Sequence, residues 1–489
     1  GPKSRCMEDS DVEDPVPTNP PKKPPRTVTF KLDPLPKSKH ERRNQYMELH
    51  SAKGLMLLLI LTKIVLYVAL HAYELNTVRL MTTLDTSKFP AFYPEDWPEF
   101  RIRMMKHLAL TGFTACLFDV FVLIAIAKNW LYFVWNTFQL KMFPEKISKV
   151  ACYLKSVTFF NGVFMFYILM RYFQAAVLHV IGLLFDHKCS QWPHNVVKHW
   201  SLWTVGVDIF GCALMASWEW LGDYLYFSPL GALSIFTVHF LILFLEPTSI
   251  ALKLKYGRSI YGLKSDSPLH DLLSSVSSTC GKYSMKNFKL LKREFGRIVR
   301  TCGYRSFSTV IIDDGLIEQM YEMEPLVQEL FPETAGPDDA DQMFMGAVAH
   351  DIGHAMTGQV LWYHALGFGT IYALLTWLLL GFLMQKPILF RSFGYRQRPA
   401  PAVCVLIFYA IGLLYSWYIV GAPLLNLVSW LMEYEADEYA TSVGLGIGLQ
   451  KYLYGVQAAG MHTRRCFSLP MSMYHDDHPP FAMRNKWLS

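Results

Sequence analysis

Seven stretches of this chain run for about 20 residues with almost no charge, and that is the length a helix needs to cross the hydrocarbon core of a bilayer. They cover residues 54–73, 107–127, 157–184, 201–218, 226–245, 364–384 and 402–420. A soluble domain has no use for so many such windows, because each would expose more apolar surface than one core can absorb. Over the whole chain 52% of residues are hydrophobic and only 18% charged, against about a quarter charged in an ordinary soluble domain. The sequence therefore predicts a mainly α, polytopic membrane protein.

Four charged residues fall inside these windows: Lys63, Asp119, Arg171 and Asp208. A charge facing lipid is costly, so each should face the bundle interior or a partner. Pairing between helices and a wet, polar chamber are both compatible with this pattern. The net charge of +6 is modest, and no aromatic-plus-basic reading motif accompanies it, so nucleic acid is not an expected partner. The nine cysteines are scattered, without a CxxC pair, and suggest neither a thiolate zinc site nor a disulfide framework.

The windows divide the chain. Residues 1–45 form a basic, proline-rich tail with too little apolar content to pack. Residues 46–246 hold spans one to five, and 362–421 hold spans six and seven. Between them, 247–361 is polar enough for a soluble domain, and 422–489 follows the last span. In the soluble part Val310-Ile311-Ile312-Asp313-Asp314 reads as a short buried strand. The acidic run Asp338 to Asp341 then leads into a helix beginning near Gln342.

That helix carries His350-Asp351-Ile352-Gly353-His354. Residues four apart share a helical face, so both imidazoles can reach one ion. The same spacing also suits polar side chains on a buried helix. Asp351 sits where zinc peptidases of this type place their general base, normally Glu. A catalytic zinc takes three protein ligands and leaves a fourth position open. Glu433-Tyr434-Glu435-Ala436-Asp437, on a helix continuing from the last span, offers the third. Glu433 can ligate while Asp437, one turn on, accepts a hydrogen bond from a ligating His. Glu435 and Glu438 read as solvated surface acids.

Three ordered motifs now stand in the chain: His350 to His354, Glu433 to Asp437, and His478-Pro479-Pro480 followed by Arg484. Ser392-Phe393-Gly394-Tyr395 and Gly222-Asp223-Tyr224 add weaker echoes. Together they resemble the type I CaaX prenyl proteases, membrane-embedded zinc metallopeptidases of the gluzincin kind, over most of the chain from Gly54 onward. The resemblance implies a seven-helix transmembrane barrel enclosing a chamber, capped by an α+β zinc domain, in the membrane of the endoplasmic reticulum or nuclear envelope. It implies one Zn²⁺ per chain on His350, His354 and Glu433, with Asp351 as general base and Asp437 supporting a ligand. His478 and Arg484 would line the site, His478 steadying the oxyanion. The partners implied are membrane lipid and the C-terminus of a prenylated CaaX protein, which would be cleaved there.

The sequence departs from that family at three points. Asp351 replaces Glu and is one methylene shorter, and a misplaced general base typically loses about 10²–10⁴ in rate. The stretch Gly296-Arg297-Ile298-Val299-Arg300 lacks the family's Asn, and Ala355 stands where a Trp is usual. A zinc-binding pseudoprotease or chaperone of the same fold is thus the alternative reading. Behind it stands an HD-type phosphohydrolase, in which His350 and Asp351 would both ligate. That fold needs an earlier His, and none occurs between His270 and His350. A transporter would leave the metal motifs idle.

Overall fold

The computed structural model describes residues 39–81, 97–142, 149–184, 260–267, 269–281, 283–291, 299–303, 307–358, 388–395, 414–459 and 468–488, with isolated positions between 209 and 248 and at 403 and 407. The expected windows at 201–218, 226–245, 364–384 and most of 402–420 lie largely or wholly outside these residues, as does the tail up to 38.

Three described helices are long and apolar enough to cross a membrane: Lys53–Leu80, Trp97–Ala127 and Ser156–Gln174. They fall within α1 (Lys39–Leu80), α2 (Trp97–Ala127) and α4 (Lys149–Leu184), with the short α3 (Trp130–Met142) between the last two. They overlap the first three apolar windows. Leu58, Val65 and Val68 of α1 and Phe113, Leu117 and Ile124 of α2 point away from the protein. In water such a surface would drive aggregation; against lipid tails it costs nothing.

Two of the four intramembrane charges, Lys63 and Asp119, satisfy each other. Lys63 of α1 lies 2.8 Å from Asp119 of α2, whose side chain is 1% exposed. The Tyr415 hydroxyl donates to the same carboxylate at 2.9 Å. The Lys63 ammonium also lies 5.0 Å from the ring centres of Tyr415 and Tyr418. For this pair the helix-pairing reading holds.

The described residues between 260 and 358 are α+β. Their four-stranded sheet runs β1-β2-β4-β3, from β1 (Ile260–Gly262), β2 (Phe288–Leu291), β3 (Val299–Cys302) and β4 (Thr309–Asp313). β2 and β4 are parallel, while β1 and β3 pair antiparallel at the two edges. β4 is buried at all five positions, the apolar Val310, Ile311 and Ile312 and the polar Thr309 and Asp313 alike. Helices α5 (Leu269–Thr279), α6 (Leu316–Leu330) and α7 (Asp339–Thr357) follow the chain around this sheet. Val310, Ile312, Met320, Phe344, Val348 and Ile352 share one core.

α7 begins at Asp339, one turn before the sequence suggested. Asp339 and Asp341 occupy its first turn, where the helix dipole favours acids. It stops at Gly358, whose φ of 72° lies in the left-handed region. α8 (Ala422–Ser442) continues directly from a π-helical turn at Trp417–Gly421. α9 (Gly446–Ala459) then packs on α7 at very close range. A Cβ on Gly346 would meet the Leu449 nitrogen at 2.2 Å, and one on Gly448 would meet the Gln342 carbonyl oxygen at 2.1 Å. Both positions therefore require glycine.

The C-terminal segment is folded back onto these elements. α10 (Leu469–His475) is held at its start by Glu74 of α1, which accepts hydrogen bonds from the Ser468 backbone amide and hydroxyl. Asn426 donates to the Met473 carbonyl at 2.8 Å and Trp430 to the Asp476 carbonyl at 3.0 Å. This lays residues 476–480 and α11 (Phe481–Leu488) along α8.

Candidate metal centre

α7 and α8 cross with their polar turns facing. His350 and His354 project from α7, and Glu433 and Asp437 from α8. The Nε2 atoms of the two histidines are 3.2 Å apart. His350 Nε2 lies 3.3 Å from Glu433 Oε2, and His354 Nε2 lies 3.3 Å from Glu433 Oε1. One ligand atom from each of the three residues falls within 4.8 Å of the others. Ligands held tetrahedrally at ordinary zinc bond lengths stand about 3.3–3.4 Å apart, so these separations fit that ion.

The carboxylate also has unused bonding capacity. Glu433 Oε2 is buried and accepts no well-aligned hydrogen bond, although Arg484 Nη1 lies 3.1 Å away. A buried carboxylate oxygen without a hydrogen bond is costly, and a metal ion held at the histidines would relieve it. Two imidazoles and one carboxylate are a donor set suited to zinc, and the residues present fit the metal.

Around this trio is a second layer. His350 Nδ1 lies 2.9 Å from Asp437 Oδ1, so its other ring nitrogen is the one aimed at Glu433 and His354. Arg484 donates from Nε to Asp437 Oδ2 at 2.9 Å and from Nη2 to Oδ1. The guanidinium is therefore forked on Asp437 with one arm reaching Glu433. His478 stands at the rim, its side chain 58% exposed, with Nε2 3.3 Å from Glu433 Oε1 and Nδ1 2.7 Å from Asp477.

The electrostatics follow from these contacts. Burial alone would lower the His350 imidazole, but the Glu433 charge and the bonds to Asp437 and Glu433 outweigh it and hold it up at about 9. Burial would raise both acids, yet His350 and Arg484 hold Glu433 well below, and Asp437 below, the ordinary carboxylate range.

Asp351 is tied to the sheet edge. Its Oδ1 accepts a hydrogen bond from the Thr301 backbone amide at 3.1 Å, and its carbonyl accepts one from the Thr301 hydroxyl at 2.6 Å. Loss of water around it raises its carboxyl pKa, a rise that the neighbouring His350 and His354 oppose. All seven residues singled out in the sequence thus lie in one neighbourhood. Thr301 was missed: it directly follows the stretch 296–300, which carried no recognisable motif.

No protein-family model matches the sequence, and no curated protein matches it. Among solved structures, the chain is similar to the crystal structure of S. mikatae Ste24p, with a TM-score of 0.69 over 90% of this chain and 99% of that chain. This chain shares its fold with Ste24p. Sequence identity to Ste24p is 16%, so the likeness speaks for the architecture and not for any single residue. By fold it supports the family that the three motifs resemble. The Ste24p-like fold and the three apolar helices together describe a membrane protein.

Proposed function

We propose that this protein is a membrane zinc endopeptidase that processes the C-terminus of prenylated CaaX proteins in the endoplasmic reticulum membrane. The observation that carries this reading is the convergence of His350, His354 and Glu433 at tetrahedral spacing, on a chain with the Ste24p fold. The architecture that goes with it is a seven-helix barrel enclosing a chamber, capped by the domain at 247–361. The prenyl group would remain in the apolar surroundings of the spans while the peptide reaches the metal centre.

His350, His354 and Glu433 would hold one Zn²⁺, which supplies a Lewis acid that polarises a scissile carbonyl and makes water nucleophilic near neutral pH. Asp437 keeps His350 in the orientation that presents Nε2. Asp351 accepts the proton of the attacking water and passes it to the leaving amine. His478 is exposed enough to meet the substrate, and its Nε2 donates to the developing oxyanion. Arg484 balances the charge of Glu433 and Asp437 and so holds the α11 segment in register with α8.

A second reading of the same fold is a zinc-binding pseudoprotease or chaperone, favoured by the short Asp351 arm and its tether to Thr301. The HD-type phosphohydrolase is disfavoured by geometry. That chemistry would leave Glu433 and Asp437 without a role, although both converge on the histidines.

The deciding experiment measures zinc content and cleavage of a farnesylated CaaX peptide on the purified full chain. Wild type is compared with His354→Ala and Asp351→Glu. Zinc with chelator-sensitive cleavage, both lost in His354→Ala, supports the protease. Zinc without cleavage, rescued by Asp351→Glu, supports the pseudoprotease. A folded protein that takes up no zinc sinks both.

A further inference from the structure

β3 is the edge strand of the sheet and lies against α7. In an antiparallel pair, successive amides alternate between bonding the neighbouring strand and facing outward. β3 pairs with β4 with Thr301 opposite Val310. The Thr301 amide is one that faces away, and it bonds Asp351 Oδ1 at 3.1 Å. The Thr301 hydroxyl bonds the Asp351 main-chain carbonyl at 2.6 Å and stands 3.4 Å from the same Oδ1. One residue of the strand therefore grips both the backbone and the side chain of the residue next to His350. Every hydrogen bond to the carboxylate among the described residues falls on Oδ1.

We infer that Thr301 is a positioning residue for Asp351. Its amide anchors one carboxylate oxygen, its hydroxyl holds the Asp351 main-chain carbonyl, and the two together fix where the other oxygen points. This matters more for Asp than for Glu. A shorter side chain has less reach with which to correct its own placement, so its anchor must come from outside. The inference rests on the reading of Asp351 as the proton acceptor.

The test uses the full chain, with Thr301→Val, which keeps the shape and removes the hydroxyl, and Thr301→Ser, which keeps the hydroxyl. Thr301→Val should lower kcat about tenfold, with KM and zinc content unchanged, while Thr301→Ser stays close to wild type. In the Asp351→Glu background the same Val substitution should have little effect. A readout independent of turnover is amide hydrogen exchange in metal-free protein. Asp351→Ala should speed exchange at Thr301 and leave Arg300 and Cys302, which bond β4, protected. Unchanged exchange at Thr301, unchanged kcat in Thr301→Val, or loss of zinc from that variant would overturn the inference while an active, zinc-loaded wild type kept the protease reading intact. A wild type that bound no zinc and cleaved nothing would overturn both.

Discussion

Gly353 and Ala436 place the two site helices in backbone contact: a Cβ on Gly353 would stand 3.1 Å from the Ala436 Cα. Gly353 lies between His350 and His354, and Ala436 lies between Glu433 and Asp437. The smallest residues on each helix thus occupy the crossing point. The separation of the ligand atoms follows from how closely these two backbones approach.

Enlarging that contact should open the site. Gly353→Val introduces atoms where Ala436 and the Tyr439 Cβ already stand at 3.1–3.2 Å. Overpacking of this kind costs about 1–3 kcal/mol. The expected outcome is a lower melting temperature for the metal-free protein and a zinc affinity at least about tenfold weaker. Gly353→Ala should show the same effects at smaller size. A zinc titration followed by thermal melts checks both, and unaltered affinity in Gly353→Val would show that the crossing does not set the ligand spacing.

Asp437 should matter to the metal without touching it. Removing the carboxylate that holds His350 Nδ1, as in Asp437→Ala, is expected to weaken zinc binding about 10–100-fold. Asp437→Asn, which still offers a carbonyl oxygen to the imidazole, should lose less. Competition against a chelator of known affinity measures the difference. Equal affinity for wild type and Asp437→Ala would remove Asp437 from the site.

Stripping the metal should cost stability as well as activity. A ligand that binds only the folded state at about 100 times its dissociation constant stabilises by about 2.7 kcal/mol. The melting temperature should therefore fall on chelation and recover on adding zinc. His354→Ala should melt at the same temperature with and without zinc, which separates specific binding from general salt effects.

Lys451 supplies a test away from the site. Its ammonium is buried between Asp339 Oδ1 at 2.7 Å and the Thr334 carbonyl at 2.6 Å, tying α9 to the start of the histidine-bearing helix. Breaking a buried pair from one side leaves a charge uncompensated, at about 3–5 kcal/mol. Lys451→Met should be strongly destabilised, and adding Asp339→Asn should restore part of the loss. Denaturant or thermal unfolding of the single and double variants measures this. Destabilisation of Lys451→Met below about 1 kcal/mol would mean that the pair contributes little.

Some of the fold was readable because it depends on short-range order. The spans are set by runs of apolar residues, and the helices now described at the first three windows follow those runs. The strand at Val310 was legible for the same reason, through the short run Val310-Ile311-Ile312. The start of α7 was placed one turn late, since Asp339 belongs to the helix as a first-turn acid and also bonds Lys451 in the interior. An acid read as a flanking residue was therefore part of the core.

In the metal centre, His350 with His354 and Glu433 with Asp437 were legible because a four-residue spacing puts side chains on one helical face whatever surrounds it. Which face meets which is a different matter. Thr301 reaches Asp351 across 50 residues of sequence, and Arg484 reaches Asp437 across 47. Periodicity reports the geometry of one element and is silent about its neighbours. The sequence by itself determined the membrane character and the two four-residue spacings, His350 with His354 and Glu433 with Asp437, that suggest zinc chemistry. Only the tertiary structure decided that Gly353 and Ala436 let the helices meet, that Arg484 forks onto Asp437, and that an edge-strand threonine holds Asp351, because each depends on packing between elements distant along the chain.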